Sequence, residues 1–411
     1  MDFNDSPEEA AFRAEVREWL DKNAEKKTDT NTNWRAGLDD AEAMAKAKAW
    51  QAKRADARFA QITWPEEWGG RGGTPIQTVI YGQEESQYLA PRGYFEIGLG
   101  MCIPTMMAYA TPEQNARFVQ PALRGEEIWC QLFSEPSAGS DVAGLRTKAV
   151  RDGDDWVING QKVWTSGAHY SDFGILLTRT NPDVPKHKGL TMFFLDMKSP
   201  GVECRPIKQM SGDANFNEVF FTDVRIPDSQ RLSDEGNGWK VALTTLMNER
   251  LAVGDASGPD IEELMELARN TESETGGPVI KDMDVRQKIA DWYVQGQGLK
   301  YTKFRTLTAL SKGQTPGPEA SISKVVSAPR LQDLTSFALD LMDQSGVQMD
   351  RELTGENMQF MASNFWAPGL RIAGGTDEIL RNIIAERVLG LPGDVRVDKD
   401  VAYKDLPKGT S

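Results

Sequence analysis

Along the chain the spacing of apolar residues changes character twice. In "PEEAAFRAEVREWLDKN", residues 7–23, Phe12, Val16 and Leu20 recur at helical spacing, which places them on one core-facing stripe. Residues 7–127 read as helices interrupted by the loop "TWPEEWGGRGG" at 63–73. From about Trp129 the period becomes two. "DWVINGQKVWTSG", "DFGILLTRT", "GLTMFFLDM" and "NEVFFTDVRIP" read as strands separated by Pro, Gly and Asp. Asn159-Gly160 between two β-rich runs predicts a hairpin turn. Short strands without intervening helices predict a small antiparallel sheet or barrel rather than a parallel sheet. No GxGxxG opens a strand–helix unit, so a Rossmann domain is not supported.

From about Gly238 helical spacing returns in "GWKVALTTLMNERLAVG", in "VRQKIADWYVQGQGLKYTKFRTLTAL", across 321–346, and in the stretch from Trp366 to Pro392. "NTESETGGPVIKD" at 270–282 reads as a polar loop. Four long amphipathic helices predict a four-helix bundle. The expected fold is therefore α+β and multidomain: a helical domain over 1–127, a β-barrel-like domain over 128–236 and a helical bundle over 237–411. In the last stretch Thr376 is a good N-cap, with Asp377 and Glu378 suited to a helix start, and Gly390 and Pro392 end the helix. Two glycines, Gly374 and Gly375, precede that cap. They imply a tight turn or a close approach to the backbone.

Composition narrows the classes. A chain of 411 residues with 39% hydrophobic and 26% charged residues is long enough for two or three globular domains. The net charge of -14 argues against nucleic acid as a partner, because phosphate binding needs a basic surface. Cys102, Cys130 and Cys204 lie far apart and match no zinc spacing. The acidic, amphipathic start reads as neither a signal nor a transit peptide. No apolar run reaches the ~20 residues of a membrane span. A cytoplasmic location follows as the expectation. With only His169 and His187 available, acid–base chemistry falls to carboxylates and no metal site is expected.

Two segments rich in hydroxyls and backbone donors, "CQLFSEPSAGSDVAGLRTKAV" at 130–150 and "KVWTSGAH" at 162–169, flank the aromatic Trp164. Taken together they suit a flat heteroaromatic ring edged with hydrogen-bond acceptors. "FSEPSAGSD", then "GQKVWTSG", then "GGTDEILRNIIAERVLGLP" resembles the acyl-CoA dehydrogenase family of flavoproteins. The likeness covers nearly the whole chain and includes "TWPEEWGG", "TPEQNARFVQPALRGEE" and "DEGNGWKVA". The resemblance implies FAD, held by the β domain and the C-terminal bundle. By motif, Phe133 and Ser134 would contact the isoalloxazine ring and Trp164 would shield its face. Thr165 and Ser166 would bond its N5 and O4 edge. Ser140 would line the thioester and pantetheine path, and Gly375 and Thr376 would meet the flavin diphosphate or ribityl region.

One family position departs. Most members carry a glutamate before "GT", the base that removes the acyl-CoA α-proton, and here that residue is Gly374. It keeps a backbone N–H for the thioester carbonyl but provides no carboxylate. Isovaleryl-CoA and long-chain dehydrogenases place the base on the first long helix of the bundle, just before an arginine. The matching pair here is Glu249 and Arg250, with Arg250 assigned to substrate binding. Glu249 shares a helix face with Ala242, Thr245, Leu246, Ala252 and Val253, a largely apolar setting that would raise a carboxyl pKa toward that of a working base. An exposed glutamate paired to a nearby cation is the alternative.

The Arg-x-x-Phe-Gly motif is absent, and the stretch that usually holds the adenosine half of FAD reads "DLMDQSG", with Asp340, Asp343 and Gln344. Carboxylates repel a diphosphate. This pattern resembles bacterial dehydrogenases built from two unlike subunits that oxidise bulky acyl-CoAs, including steroid side-chain thioesters. The expected activity is α,β-desaturation of an acyl-CoA, with electrons passed to an electron-transfer flavoprotein, in a homotetramer or an α2β2 heterotetramer. Two other readings share the fold: a flavin oxidase or monooxygenase without CoA, and a non-catalytic subunit of a heteromeric dehydrogenase. The intact flavin loops argue against the second.

Overall fold

A computed structural model describes residues 5–28, 31, 33–252, 258–274, 276–312, 317–350, 355–396 and 398–407. The side chains at 249–252, 307, 310, 311, 320 and 356 lie outside that description. The chain divides into two units. One comprises residues 1–208, 214–252 and 396–411, and the other 209–213 and 253–395.

The first unit begins with helices α1 (Pro7–Asn23), α2 (Asp40–Asp56), α3 (Pro75–Glu85), α4 (Ile103–Tyr109) and α5 (Pro112–Leu123). Four of the five start alike: Ser6, Asp39, Thr74 and Thr111 cap the first turn and Glu9, Glu42, Gln77 and Gln114 reach back. Each such box satisfies helix-end N–H groups that would otherwise lack partners. The Phe12, Val16 and Leu20 stripe is buried as the spacing predicts, packed with Trp50, Phe59 and Tyr81. A π-helical turn at Gly98–Cys102 leads into α4.

Eight strands follow: β1 (Trp129–Leu132), β2 (Lys148–Asp152), β3 (Asp155–Ser166), β4 (Phe173–Arg179), β5 (Leu190–Asp196), β6 (Val202–Ile207), β7 (Phe216–Pro227) and β8 (Arg231–Leu232). They form one sheet in the order β6-β7-β3-β2-β4-β5-β8, with β1 beside β4. Most neighbours are antiparallel, as expected. The pairs β1·β4 and β2·β4 are parallel, which alternation along single strands could not reveal. Helix α6 (Gly238–Ala252) packs with this unit. Its Val241 and Ala242 join the core beside Leu190 and Met192, and the buried Thr245 hydroxyl lies 2.9 Å from that of Thr105 on α4.

The hairpin expected at Asn159-Gly160 does not form. β3 runs straight through both residues, and the reversal between β2 and β3 falls at Gly153, where Asp152 pairs with Asp155. Asn159 instead sits at a register shift against β7, exchanging hydrogen bonds with Asp223 at 3.0 and 3.1 Å. Gly160 is required by a close approach rather than a turn: a Cβ there would stand 2.4 Å from Thr147 Oγ1 and 2.7 Å from its Cα.

The second unit contains α7 (Ile261–Asn270), α8 (Met283–Ser311), α9 (Ser321–Leu341), α10 (Met358–Leu370) and α11 (Asp377–Arg387). The long patterns over 285–310 and 321–346 become α8 and, as far as Leu341, α9. The short helices α7 and α10 were not separated by the sequence pattern. The core joins Leu264, Leu267, Ile289, Leu334, Ala338 and Phe360. Among the described residues no helix is long and apolar enough to cross a membrane.

Replacing Gly160 by alanine forces backbone and Thr147 to move apart, at a cost of about 1–3 kcal/mol typical of overpacking. The expected result is a lower urea midpoint with an unchanged m-value; an unchanged midpoint would show that the strand has slack here.

Candidate active site

Two segments far apart in sequence are drawn together in the first unit. Beyond β1 the chain continues through Phe133, Ser134 and Glu135, alongside the second half of β3. The Val163 N–H donates to the Ser134 carbonyl at 2.9 Å. Beneath them Lys162 Nζ donates to the Phe133 carbonyl at 2.9 Å and to Glu135 Oε1 at 2.9 Å. Glu135 also accepts the N–H groups of Arg146 and Thr147, at 2.6 and 2.9 Å. Lys162 is 0% exposed and Glu135 6%. Burial pushes the Lys162 pKa below that of a free lysine, against the pull of Glu135. Burial acts to raise Glu135, but Lys162 and the two N–H donors outweigh it and hold the carboxyl below its ordinary value.

Above this pair stand the residues that carry the candidate chemistry. Trp164 has φ +60°, a conformation rare for a bulky residue, and is 59% exposed, with its ring edge-on to Phe216 at 6.0 Å. Such strain costs about 1–3 kcal/mol and concentrates at functional sites. The pairing of β3 with β7 shifts register between Lys162 and Thr165, which accommodates the outward tryptophan. Thr165 turns back inside. Its carbonyl accepts from Asn217 Nδ2 at 2.9 Å, and Asn217 Oδ1 lies 3.0 Å from His169 Nδ1.

Thr165 Oγ1 is buried without a hydrogen-bond partner among the described residues. A buried hydroxyl left so costs about 1–3 kcal/mol, and an acceptor or donor on a bound ring edge would relieve it. Together with an exposed, strained aromatic beside it, this orphaned hydroxyl fits a flavin ring. Ser134 and Ser166 are half-buried on the same two segments, and Ser140 is exposed on the loop that follows. The Phe133 side chain is 3% exposed and belongs to the core, so its contribution at the surface of the segment is main-chain.

Glu249 and Arg250 fall in the last turn of α6, and their side chains lie outside the described residues; Val253 lies outside altogether. By helical phase Glu249 follows Ala242 and Thr245, both fully buried, while Leu243 and Met247 are exposed.

In the second unit Thr376 caps α11 as expected, accepting the Ile379 N–H at 3.3 Å. Gly374 and Gly375 both have left-handed backbones, at φ +64° and +97°, so the turn explanation of the glycine pair holds locally. The Gly375 carbonyl accepts from Lys324 Nζ. Asp377, 4% exposed, pairs with Arg371 at 2.8 Å.

Comparison with known proteins decides the family. Three family models match in succession: the N-terminal domain of acyl-CoA dehydrogenases over residues 6–126, the middle domain over 130–224 and the C-terminal domain over 236–389. The chain belongs to the acyl-CoA dehydrogenase family. The acyl-CoA dehydrogenase IpdE1 of Mycobacterium tuberculosis is 36% identical over 389 residues, covering 94% of this chain and 98% of that protein. The acyl-CoA dehydrogenase FadE34 of the same organism is 39% identical over 83% of this chain, which spans only 46% of FadE34's length. Among solved structures, the ChsE4-ChsE5 complex from Mycobacterium tuberculosis superposes with a TM-score of 0.77 at 28% identity. That match covers 96% of this chain and 100% of the solved one. The acyl-CoA dehydrogenase fold is thus the helical–β–helical order described above, and the chain is an FAD-dependent oxidoreductase that acts on acyl-CoA thioesters.

Sequence reasoning missed Glu135 and Lys162. The signal existed: Lys162 has the same parity as the buried Trp156 and Ile158 on β3, so alternation alone turns it inward.

Replacing Thr165 by valine removes a hydroxyl that has no partner in the flavin-free chain. The urea midpoint of the apoprotein is therefore expected to hold or rise slightly. The dissociation constant for FAD is expected to rise about tenfold, the worth of one hydrogen bond. Equal FAD affinity in the two proteins would remove Thr165 from the site.

Proposed function

We propose that this chain is the base-bearing, flavin-binding subunit of a heteromeric acyl-CoA dehydrogenase for bulky acyl groups, such as branched or steroid side-chain thioesters. Its reduced flavin would pass electrons to an electron-transfer flavoprotein. The observation that carries this reading is a paired substitution. Glycine stands at 374, where most relatives carry the base, while Glu249-Arg250 falls in the last turn of α6 on the phase of buried Ala242 and Thr245.

In this reading Glu249 takes the α-proton of the thioester, favoured by an apolar helix face that raises its pKa. The Gly374 N–H donates to the thioester carbonyl as negative charge develops there. Arg250 and Ser140 hold the CoA portion. Phe133 and Ser134 act through their main chain at the ring, Thr165 and Ser166 bond its edge, and Trp164 covers its face. Gly375 and Thr376 would serve the ribityl or diphosphate end. FAD, when bound, would supply the acceptor for the hydride of the β-carbon. Loss of a glutamate side chain at 374 also leaves room beside the α-carbon for a branched or cyclic acyl group.

Heteromeric assembly is supported by charge. In the second unit Asp340 and Asp343, with Asn364, line a cavity of about 560 Å³ in the stretch where relatives hold the adenosine half of FAD. Two carboxylates there disfavour a diphosphate, so an unlike partner chain would provide that contact. The solved ChsE4-ChsE5 assembly is itself a complex of two named chains, and a solved steroid acyl-CoA dehydrogenase, Tcur3481-Tcur3483, shares the fold at 23% identity with a TM-score of 0.76.

The test is anaerobic flavin bleaching by a panel of short, branched, aromatic and steroid acyl-CoAs, with the chain alone and with a candidate partner. Glu249→Gln is expected to slow bleaching by about 10²–10⁴-fold, the usual worth of a general base, with the flavin spectrum intact. Bleaching at the normal rate in that variant would sink the assignment of the base.

A further inference from the structure

Residues 398–406 lie past the end of the C-terminal family model at 389 and return to the first unit, where they bind the loop that carries Ser140. The return is made by main chain and side chain together. The Tyr403 N–H donates to the Val184 carbonyl at 2.9 Å, and the Lys404 N–H to the Pro182 carbonyl at 3.0 Å. Lys404 pairs with Asp183 at 2.8 Å. The Tyr403 hydroxyl then reaches across to donate to the Gly144 carbonyl at 3.1 Å.

Two cations complete the junction. The Arg179 guanidinium lies 3.4 Å from the centre of the Tyr403 ring and is itself 5% exposed. It also donates to two carbonyls of the same loop, Nη2 to Ala143 at 2.5 Å and Nε to Leu145 at 3.1 Å, while Nη1 donates to the Lys186 carbonyl at 3.0 Å. Lys186 Nζ is shared between Asp141, at 2.8 Å, and Asp398 of the returning segment, at 2.6 Å. Every residue from Asp141 to Leu145 except Val142 is thus tied, directly or through one cation, to Asp398 or Tyr403. A ring packed on a buried guanidinium is worth more than the same contact in water, so the junction is more than a surface ion pair.

We propose that residues 398–406 are a strap that fixes the Ser140–Leu145 loop in the shape that receives the pantetheine arm of CoA, with Tyr403 as its positioning residue. This rests on the proposed reading that Ser140 lines the thioester path. The strap acts by preorganisation: a loop already ordered loses less freedom when a ligand arrives. It adds no group to the chemistry, so it is expected to change CoA binding and leave the flavin untouched.

The experiment uses the FAD-loaded full chain carrying Tyr403→Ala, with Tyr403→Phe as a second variant that keeps the ring over Arg179 and loses only the hydroxyl. Two quantities are read: amide hydrogen exchange over 142–145 by mass spectrometry, and the dissociation constant for free coenzyme A by calorimetry. Tyr403→Ala is expected to speed exchange and to weaken coenzyme A by about tenfold, with flavin absorbance unchanged; Tyr403→Phe is expected to fall between. Unchanged exchange in both variants overturns the strap. Faster exchange with unchanged coenzyme A affinity overturns its role toward substrate. Ser140→Ala, measured alongside, separates the two readings. If it leaves coenzyme A affinity intact while Tyr403→Ala lowers it, the role of Ser140 fails and the strap stands. If it lowers the affinity while Tyr403→Ala does not, the strap fails and the role of Ser140 stands.

Discussion

The buried pair of Lys162 and Glu135 is the constraint on which the flavin loops depend. Two stretches separated by nearly thirty residues of chain meet because one ammonium group donates both to a carbonyl of the first loop and to the carboxylate that follows it. The carboxylate in turn gathers two N–H groups just before the next strand. With both side chains buried, removing one partner leaves an uncompensated buried charge, a loss of about 3–5 kcal/mol. That strength lets the chain hold Trp164 in a conformation that an isolated strand would abandon. The strain above and the ion pair below are two parts of one arrangement, and it ends in the buried Thr165 hydroxyl, which has no partner among the described residues.

How much of this was legible in the sequence depended on the range of the interactions involved. Local rules served well: the Phe12, Val16 and Leu20 stripe and the Thr376 cap are set within a few residues and appear as read. The hairpin at Asn159-Gly160 failed because a tertiary contact overrode a local preference. Gly160 is there to let Thr147 close in, and Asn159 spends its side chain on Asp223 rather than on a turn. The parallel pairings of β1 and β2 with β4 were invisible, since strand order leaves no mark on alternation. Lys162 could have been found by parity. The strap could not, because Tyr403 meets Gly144 across 259 positions and neither segment has a periodic pattern.

The family resemblance named candidate flavin loops, and the departures from it carry the proposed function. A glycine pair with two left-handed backbones makes the turn before α11 and leaves no carboxylate at the usual place. The proposed base, Glu249, lies on α6, a helix fixed within the first unit by Val241, Ala242 and the Thr105–Thr245 hydrogen bond. In the proposed reading, Asp340 and Asp343 in the second unit leave the rest of the cofactor to a partner chain.

The most direct test of this arrangement is a double-mutant cycle on FAD affinity with Lys162→Met, Glu135→Leu and the two combined. If the ion pair sets the flavin loops, each single change weakens FAD by about tenfold or more, and the double change costs clearly less than the sum of the two. Single variants that fold and bind FAD as tightly as the unaltered chain would contradict the claim that this pair builds the site.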